Sequence, residues 1–275
     1  MVKCHYCIIG DDAYQQYMRR KLESKNEVVV YTALFGSYDK LLEPTIKSSK
    51  CKFICFTDDK NLKSDFWEIR LVDGIVDPIA ANRKMKFLPH QFLSDFKYSL
   101  YIDSNIKIIH DPYDLIINYV QSFKINIPRH FERQCIYDEL NECYNLNKIN
   151  ETELNNINQL FLSEGYPPNN GLGENNIIIR EHNDPFVINL MQEWWRFFSN
   201  GPKRDQLSLM FLAWKLDIPI NLMRESSRNR NKYFRYHLHL NEEKLPFIKR
   251  KYLYVRANRD RHFIYQMLYK LRNFF

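Results

Sequence analysis

The stretch that most restricts the fold of this chain is Ser99-Leu100-Tyr101-Ile102-Asp103-Ser104-Asn105-Ile106-Lys107-Ile108-Ile109. An apolar run stops at three short polar residues, and a second apolar run resumes at once. That pattern predicts a buried strand with polar side chains at its end, followed by another strand. In an open α/β sheet, strand ends are where ligands bind. An Asp at such a point can hold a divalent cation, and the cation can hold a diphosphate. Asp, Ser and Asn also favour turns, so the triplet taken alone reads first as an Asx turn.

The neighbouring segments supply the context. Val28-Val29-Val30-Tyr31-Thr32 reads as a β-branched strand, followed by the loop Ala33-Leu34-Phe35-Gly36-Ser37-Tyr38-Asp39. Phe53–Thr57 reads as a second strand ending in Asp58-Asp59, and Trp67–Leu71 as a third. A helix is predicted from about Asn82 to Leu93, with Arg83, Lys86 and His90 in one basic stripe and Met85, Leu88 and Phe92 in an apolar one. Such a stripe is ordinarily a solvated face; here it precedes the strand that presents Asp103. Asp111-Pro112 and Asp184-Pro185 both read as helix starts. Residues 11–25 and 134–163 read as polar helices, the second broken near Lys148–Asn150. Ile177–Arg180 reads as a strand after the loop 167–173, and Arg204–Ser208 as the opening of a helix with Leu207, Met210, Phe211 and Trp214 inward. Alternating strands and helices predict an α/β fold with a mainly parallel sheet flanked by helices.

Composition narrows the function classes. Only 7 glycines occur, and no Gly-rich phosphate loop is among them. No run reaches the roughly 18 apolar residues of a membrane span, and the start of the sequence lacks the apolar core of a signal peptide. The expected location is therefore cytoplasmic. Cys4 and Cys7 have C-x-x-C spacing without a second pair, and all six cysteines are read as reduced. The net charge of +7 is uneven: residues 224–275 carry 14 Lys and Arg against 4 acids, while the preceding part is slightly acidic. The expected division is a main domain over 1–240 and a basic, aromatic, helical extension over 241–275. The extension points to an anionic partner, and from His262 onward it patterns as an amphipathic helix suited to an anionic membrane surface, which would make the protein peripheral. The alternative is that its aromatics pack on the body.

Six segments, in order, carry a resemblance: Tyr31–Asp39, Asp103-Ser104-Asn105 with Asp111-Pro112, Arg129–Arg133, Ile178–His182, Arg204–Ser208 and Tyr236-His237. Together they resemble the glycosyltransferase-like family of plants and microbes long catalogued as a domain of unknown function, which is similar in architecture to GT-A nucleotide-sugar transferases. The resemblance covers about residues 28–240. It implies transfer of a sugar from a nucleoside diphosphate, with a UDP-sugar favoured, to a glycan or lipid-linked saccharide. It implies a nucleotide site at Tyr31, Thr32, Phe35, Gly36 and Tyr38, a ribose or uridine contact at Asp58, and diphosphate contacts at Arg83, Lys86 and Asp103. Asp103 and Asn105 take the place of an Asp-x-Asp pair for Mn²⁺ or Mg²⁺, completed by His237 or His239. An Asn brings no charge, so metal dependence stays open.

An inverting transfer also needs a carboxylate base near the acceptor hydroxyl. Asp205 and Glu174 are the candidates, although an acid in a first helical turn is also favoured by the helix dipole. His130, Arg133, Glu139 and His182 are candidates for the acceptor side or for a structural polar cluster. Two other classes compete: a metal-dependent hydrolase using the same site, and a binder of nucleic acid or another anion through the basic tail. No nucleic-acid motif occurs in the body, so no nucleic-acid partner is expected.

Overall fold

A computed structural model describes residues 27–271. The helix expected over 11–25, the Cys4/Cys7 pair and residues 272–275 lie outside the described residues. The strands are β1 Val28–Leu34, β2 Cys51–Thr57, β3 Glu68–Leu71, β4 Tyr98–Ile102, β5 Ile106–Ile108, β6 Ile125–Pro128, β7 Ile177–Arg180, β8 Asn221–Met223 and β9 Phe234–Tyr236. Seven of them form one sheet in the order β3-β2-β1-β4-β7-β6-β8, and β5 pairs with β9 in a separate ribbon. β1 to β4 run parallel, and so do β6 and β8; β7 alone is antiparallel to both its neighbours.

The helices are α1 Pro78–Phe87, α2 Tyr113–Val120, α3 Ile136–Asn145, α4 Glu151–Ser163, α5 Pro185–Asn200, α6 Leu209–Lys215, α7 Leu240–Glu243, α8 Phe247–Ala257 and α9 Phe263–Leu271. Alternate residues of β1 enter two different apolar clusters, Val29 and Tyr31 one and Val28 and Val30 the other. Both faces of the sheet are therefore covered, which is why its strands read as continuous apolar runs.

Local chemistry sets the helix ends. Asp77 accepts the amides of Ile79 and Ala80 ahead of Pro78, and Asp184 those of Phe186 and Val187 ahead of Pro185. Asn150 and Glu153 form a capping box, which accounts for the break before α4. Three sequence expectations shift. α1 starts earlier and stops at Phe87, because Pro89 follows and opens a short 3₁₀ turn; His90 therefore leaves the stripe of Arg83 and Lys86. Pro112 sits at the N-cap of α2, with Asp111 accepting the Tyr113 amide at 3.0 Å. Arg204–Ser208 opens as a 3₁₀ turn over Asp205–Leu207 before α6, and Trp214 is partly exposed rather than inward.

The basic extension is docked on the body. Arg256, Arg259 and Tyr269 all donate to the Glu132 carboxylate, and Arg261 donates to the Ser227 and Phe234 carbonyls. Its outer surface still carries apolar side chains among the charged ones: Phe247, Ile248, Phe263, Ile264, Met267 and Leu268 are exposed.

A left-handed turn lies after β1. Gly36 has φ +65°, and a Cβ there would stand 2.9 Å from the Pro78 ring. Gly36→Ala is expected to cost about 1–2 kcal/mol from the left-handed backbone alone, lowering Tm by roughly 2–8 °C at this size. Thermal unfolding followed by circular dichroism checks this; an unchanged Tm would mean the turn relaxes freely.

Candidate active site at the carboxyl edge of the sheet

The chain turns from β1 leftward to β2 and β3, then crosses to β4 on the other side. The crevice between the carboxyl ends of β1 and β4 is thus the point where strand order reverses, the usual ligand site in such sheets. Gly36 follows β1, Asp58 follows β2, Asp103 follows β4 and His130 closely follows β6, all on this edge. Because β7 runs the opposite way, the residues before it, Glu174 and Asn175, join the same edge. His182, after β7, goes to the opposite edge.

At the crevice lies an ion cluster. Lys86, its side chain 2% exposed, reaches Asp205 at 2.8 Å and Asp103 at 3.4 Å. Arg83 approaches Asp205 at 3.5 Å, and the Tyr101 hydroxyl donates to Asp103 Oδ1 at 2.8 Å. Asp205 is fixed through its carbonyl as well, which accepts from Asn175 at 3.0 Å and from the Trp194 indole at 3.3 Å. Burial opposes the Asp205 charge, but Arg83 and Lys86 prevail and hold its pKa well below the usual carboxylate range. A general base works best with a pKa near the operating pH. In this arrangement Asp205 is the counter-ion of Lys86 and Arg83.

The nucleotide-side candidates divide. Tyr31, Thr32 and Phe35 are buried in the sheet. The Tyr31 hydroxyl bonds to the Lys86 carbonyl and accepts from the buried Arg180, so this ring cannot stack on a base. Tyr38 is the exposed aromatic, 54% open, with its ring 5.4 Å from that of His239. Asp58 accepts the Gly36 amide with both oxygens at 3.1 Å, bracing the turn, and lines a groove of about 370 Å³ together with Ser37 and Asp39.

The metal candidates do not form a cage. Asn105 is buried and its amide donates to the His237 carbonyl at 3.0 Å, while the His237 amide donates back to the Asn105 carbonyl at 2.9 Å. This pair splices the β5–β9 ribbon. His239 is engaged by Asp39 at 2.5 Å. Among the described residues no three His, Cys, Asp or Glu side chains converge on one point. What fits is narrower: the bonds from Tyr101 and Lys86 both fall on Asp103 Oδ1, so Oδ2 can contact a cation that arrives on a diphosphate, as Mg²⁺ commonly does.

The acceptor-side candidates, apart from His182, share one cavity of about 330 Å³ with Asp205 and Glu174. Glu174 is held by Arg228 at 2.5 Å and accepts from Ser226, and Arg133 pairs with Glu139 at 2.5 Å. His130 accepts the amides of Glu132 and Arg133 through Nδ1; burial and the Arg133 charge push its pKa down to about 3. It is a neutral structural acceptor at the cavity wall. His182 is fully buried against the Leu93 carbonyl, its pKa pushed down to about 4 by burial, and it takes no part in the site. His90 is likewise removed, its ring nitrogens buried without a hydrogen-bond partner.

Sequence reasoning missed Tyr101, Asn175, Arg228 and the Asp39–His239 pair. Tyr101 had a signal, since it precedes Asp103 by two positions on a strand and so shares its face. The other three carried none, as their partners are far away in sequence.

His239 also yields a pH dependence. Burial opposes its charge, yet the Asp39 hydrogen bond and charge prevail and raise its pKa. A raised folded-state pKa adds stability that is fully present below the unfolded value, about 6.5, and is lost as pH rises through the folded value. The stability gap between the native protein and His239→Gln, measured by urea unfolding, is therefore expected to narrow from pH 6 to pH 9. A gap that widens would contradict the pairing.

Residues 10–239 match the family model of the TOD1/MUCI70 glycosyltransferase-like domain. A probable hexosyltransferase, MUCI70 of Arabidopsis thaliana, is 23% identical over an alignment of 226 residues that covers 70% of this chain and 38% of the relative. The chain thus spans well under half the length of that relative. Among solved structures, the apo form of the bifunctional glycosyltransferase WbbM aligns over 87% of this chain and 45% of its own, with a TM-score of 0.50 and 10% identity, a likeness of fold. With the family model covering most of its length, the chain belongs to the TOD1/MUCI70 glycosyltransferase-like family.

Proposed function

We propose that this protein transfers a sugar from a UDP-sugar to a glycan or lipid-linked saccharide. One observation carries the reading: the Arg83–Lys86–Asp205–Asp103 cluster stands at the switch point of the sheet, where a leaving diphosphate needs fixed positive charge. Family membership and the likeness of fold to a glycosyltransferase support it. In this reading the uracil rests on Tyr38 and the ribose lies toward Asp58. Arg83 and Lys86 turn toward the phosphate oxygens as the bond to the sugar breaks. Asp103 and Asp205 hold both cations in place before the donor arrives. A divalent ion, when bound, would neutralise part of the diphosphate charge, with Asp103 as its protein contact. The acceptor enters from the Glu174 and Arg133 side.

UDP at a hundred times its Kd is expected to stabilise the protein by about 2.7 kcal/mol, and UDP-sugars are expected to release UDP slowly without added acceptor. Lys86→Met is expected to lower turnover by about 10²–10³-fold, and Asp103→Ala to abolish it. Full activity in either variant, checked by UDP release, would remove the cluster from the chemistry.

The exposed apolar faces of α8 and α9, with Lys249, Arg250 and Lys251 beside them, support reversible docking to an anionic membrane. Each basic residue near such a surface adds about 1 kcal/mol. The triple variant Ile248→Ser, Phe263→Ser, Ile264→Ser is expected to lose co-sedimentation with phosphatidylserine vesicles while the native chain pellets. Equal pelleting of both, or none of either, would leave the tail without a membrane role.

A further inference from the structure

The cavity beside Asp205 is lined by side chains of both charges, and the pairing among them is uneven. Arg133 is matched to Glu139, Arg228 to Glu174 and Arg256 to Glu132. Asp205 is matched to Lys86, and Glu242 accepts from the Tyr236 hydroxyl and the His239 amide. Two cations are left over. Lys148, in the turn between α3 and α4, and Arg204, just before Asp205, have no carboxylate within ion-pair distance among the described residues. They occupy one corner, since the Arg204 guanidinium donates to the Lys148 carbonyl at 3.3 Å. The charges of both act to lower the pKa of the buried Cys143 thiol at the same wall, against the burial that raises it.

We infer that this corner is a subsite for an anionic substituent on the acceptor, a carboxylate or a phosphate carried by a sugar. The inference rests on the glycosyltransferase reading and adds a substrate class to it. A neutral sugar would leave both cations without a carboxylate, Arg204 partly buried in the cavity and Lys148 exposed at its rim. An acidic group would complete the set, and hydrogen bonds to charged groups are the ones that discriminate most. Arg204 adjoins Asp205, so an acceptor anchored there lies next to the cluster assigned to the leaving diphosphate. The α8 residues Leu253, Arg256 and Ala257 close the same cavity. The tail therefore forms part of the acceptor wall.

Ligand-observed saturation-transfer NMR on the full chain tests this with three probes: methyl β-glucuronide, glucose 6-phosphate and methyl β-glucoside. At least one acidic probe is expected to bind about tenfold or more tightly than the neutral glucoside, and to persist when UDP is added. Arg204→Gln is expected to erase most of that preference, Lys148→Gln part of it, and Arg204→Lys to retain it. Preference for the glucuronide alone assigns a carboxylate, and for the phosphate alone a phosphate. Equal binding of acidic and neutral probes, displacement of the acidic probe by UDP, or a preference untouched by Arg204→Gln each overturns the subsite. Failure of UDP itself to bind would instead strike the transferase reading, because the three probes are compared without it.

Discussion

The arrangement at the carboxyl edge depends on one buried ion pair, Lys86 with Asp205. A lysine this inaccessible is tolerated only with a partner, and removing one member of such a pair commonly costs about 3–5 kcal/mol. The pair joins α1 to the turn before α6, two segments far apart in sequence, across the mouth of β1 and β4. Around it every other contact is an adjustment: Tyr101 orients Asp103, Asn175 and Trp194 fix the Asp205 backbone, and Arg83 leans in from the preceding turn of α1. The cations are held ready, in place and desolvated, before any ligand comes. Such preorganisation is the usual source of electrostatic assistance in transfer reactions.

The sheet was legible in the sequence because its strands are covered on both faces and read as almost continuous apolar runs. Val28–Thr32, Phe53–Thr57, Tyr98–Ile102 and Ile177–Arg180 all lie within strands. The direction of β7 was not legible, since periodicity carries no sign. That one reversal decides why Glu174 reaches the site and His182 does not. α1 was misplaced because helical spacing was followed through Pro89. Tyr31 was expected as a nucleotide contact from the resemblance; its ring is buried and its hydroxyl accepts from Arg180, which no local pattern could reveal. Asn105 was read as the second member of a metal pair; that its Nδ2 also donates to the His237 carbonyl, more than a hundred residues later, is a contact no local pattern carries.

The site is balanced rather than charged. Asp103 and Asp205 offset Arg83 and Lys86, so on the proposed function an incoming diphosphate would meet cations that already have partners. Its binding would be an exchange of partners, which favours a ligand able to reproduce several contacts together over any simple anion. A phosphate ion alone would gain little there, whereas a nucleotide would add its base and ribose contacts to the same event.

Glu132 gives the extension a further meaning. One carboxylate receives Arg256, Arg259 and Tyr269 from the tail while sitting in the loop that carries His130 and Arg133. The same carboxylate thus ties α8 and α9 to the cavity wall. On the proposed function the tail would act as an exchangeable jaw: substitutions in it would re-cut the acceptor half while the Lys86–Asp205 edge of the sheet stays as it is.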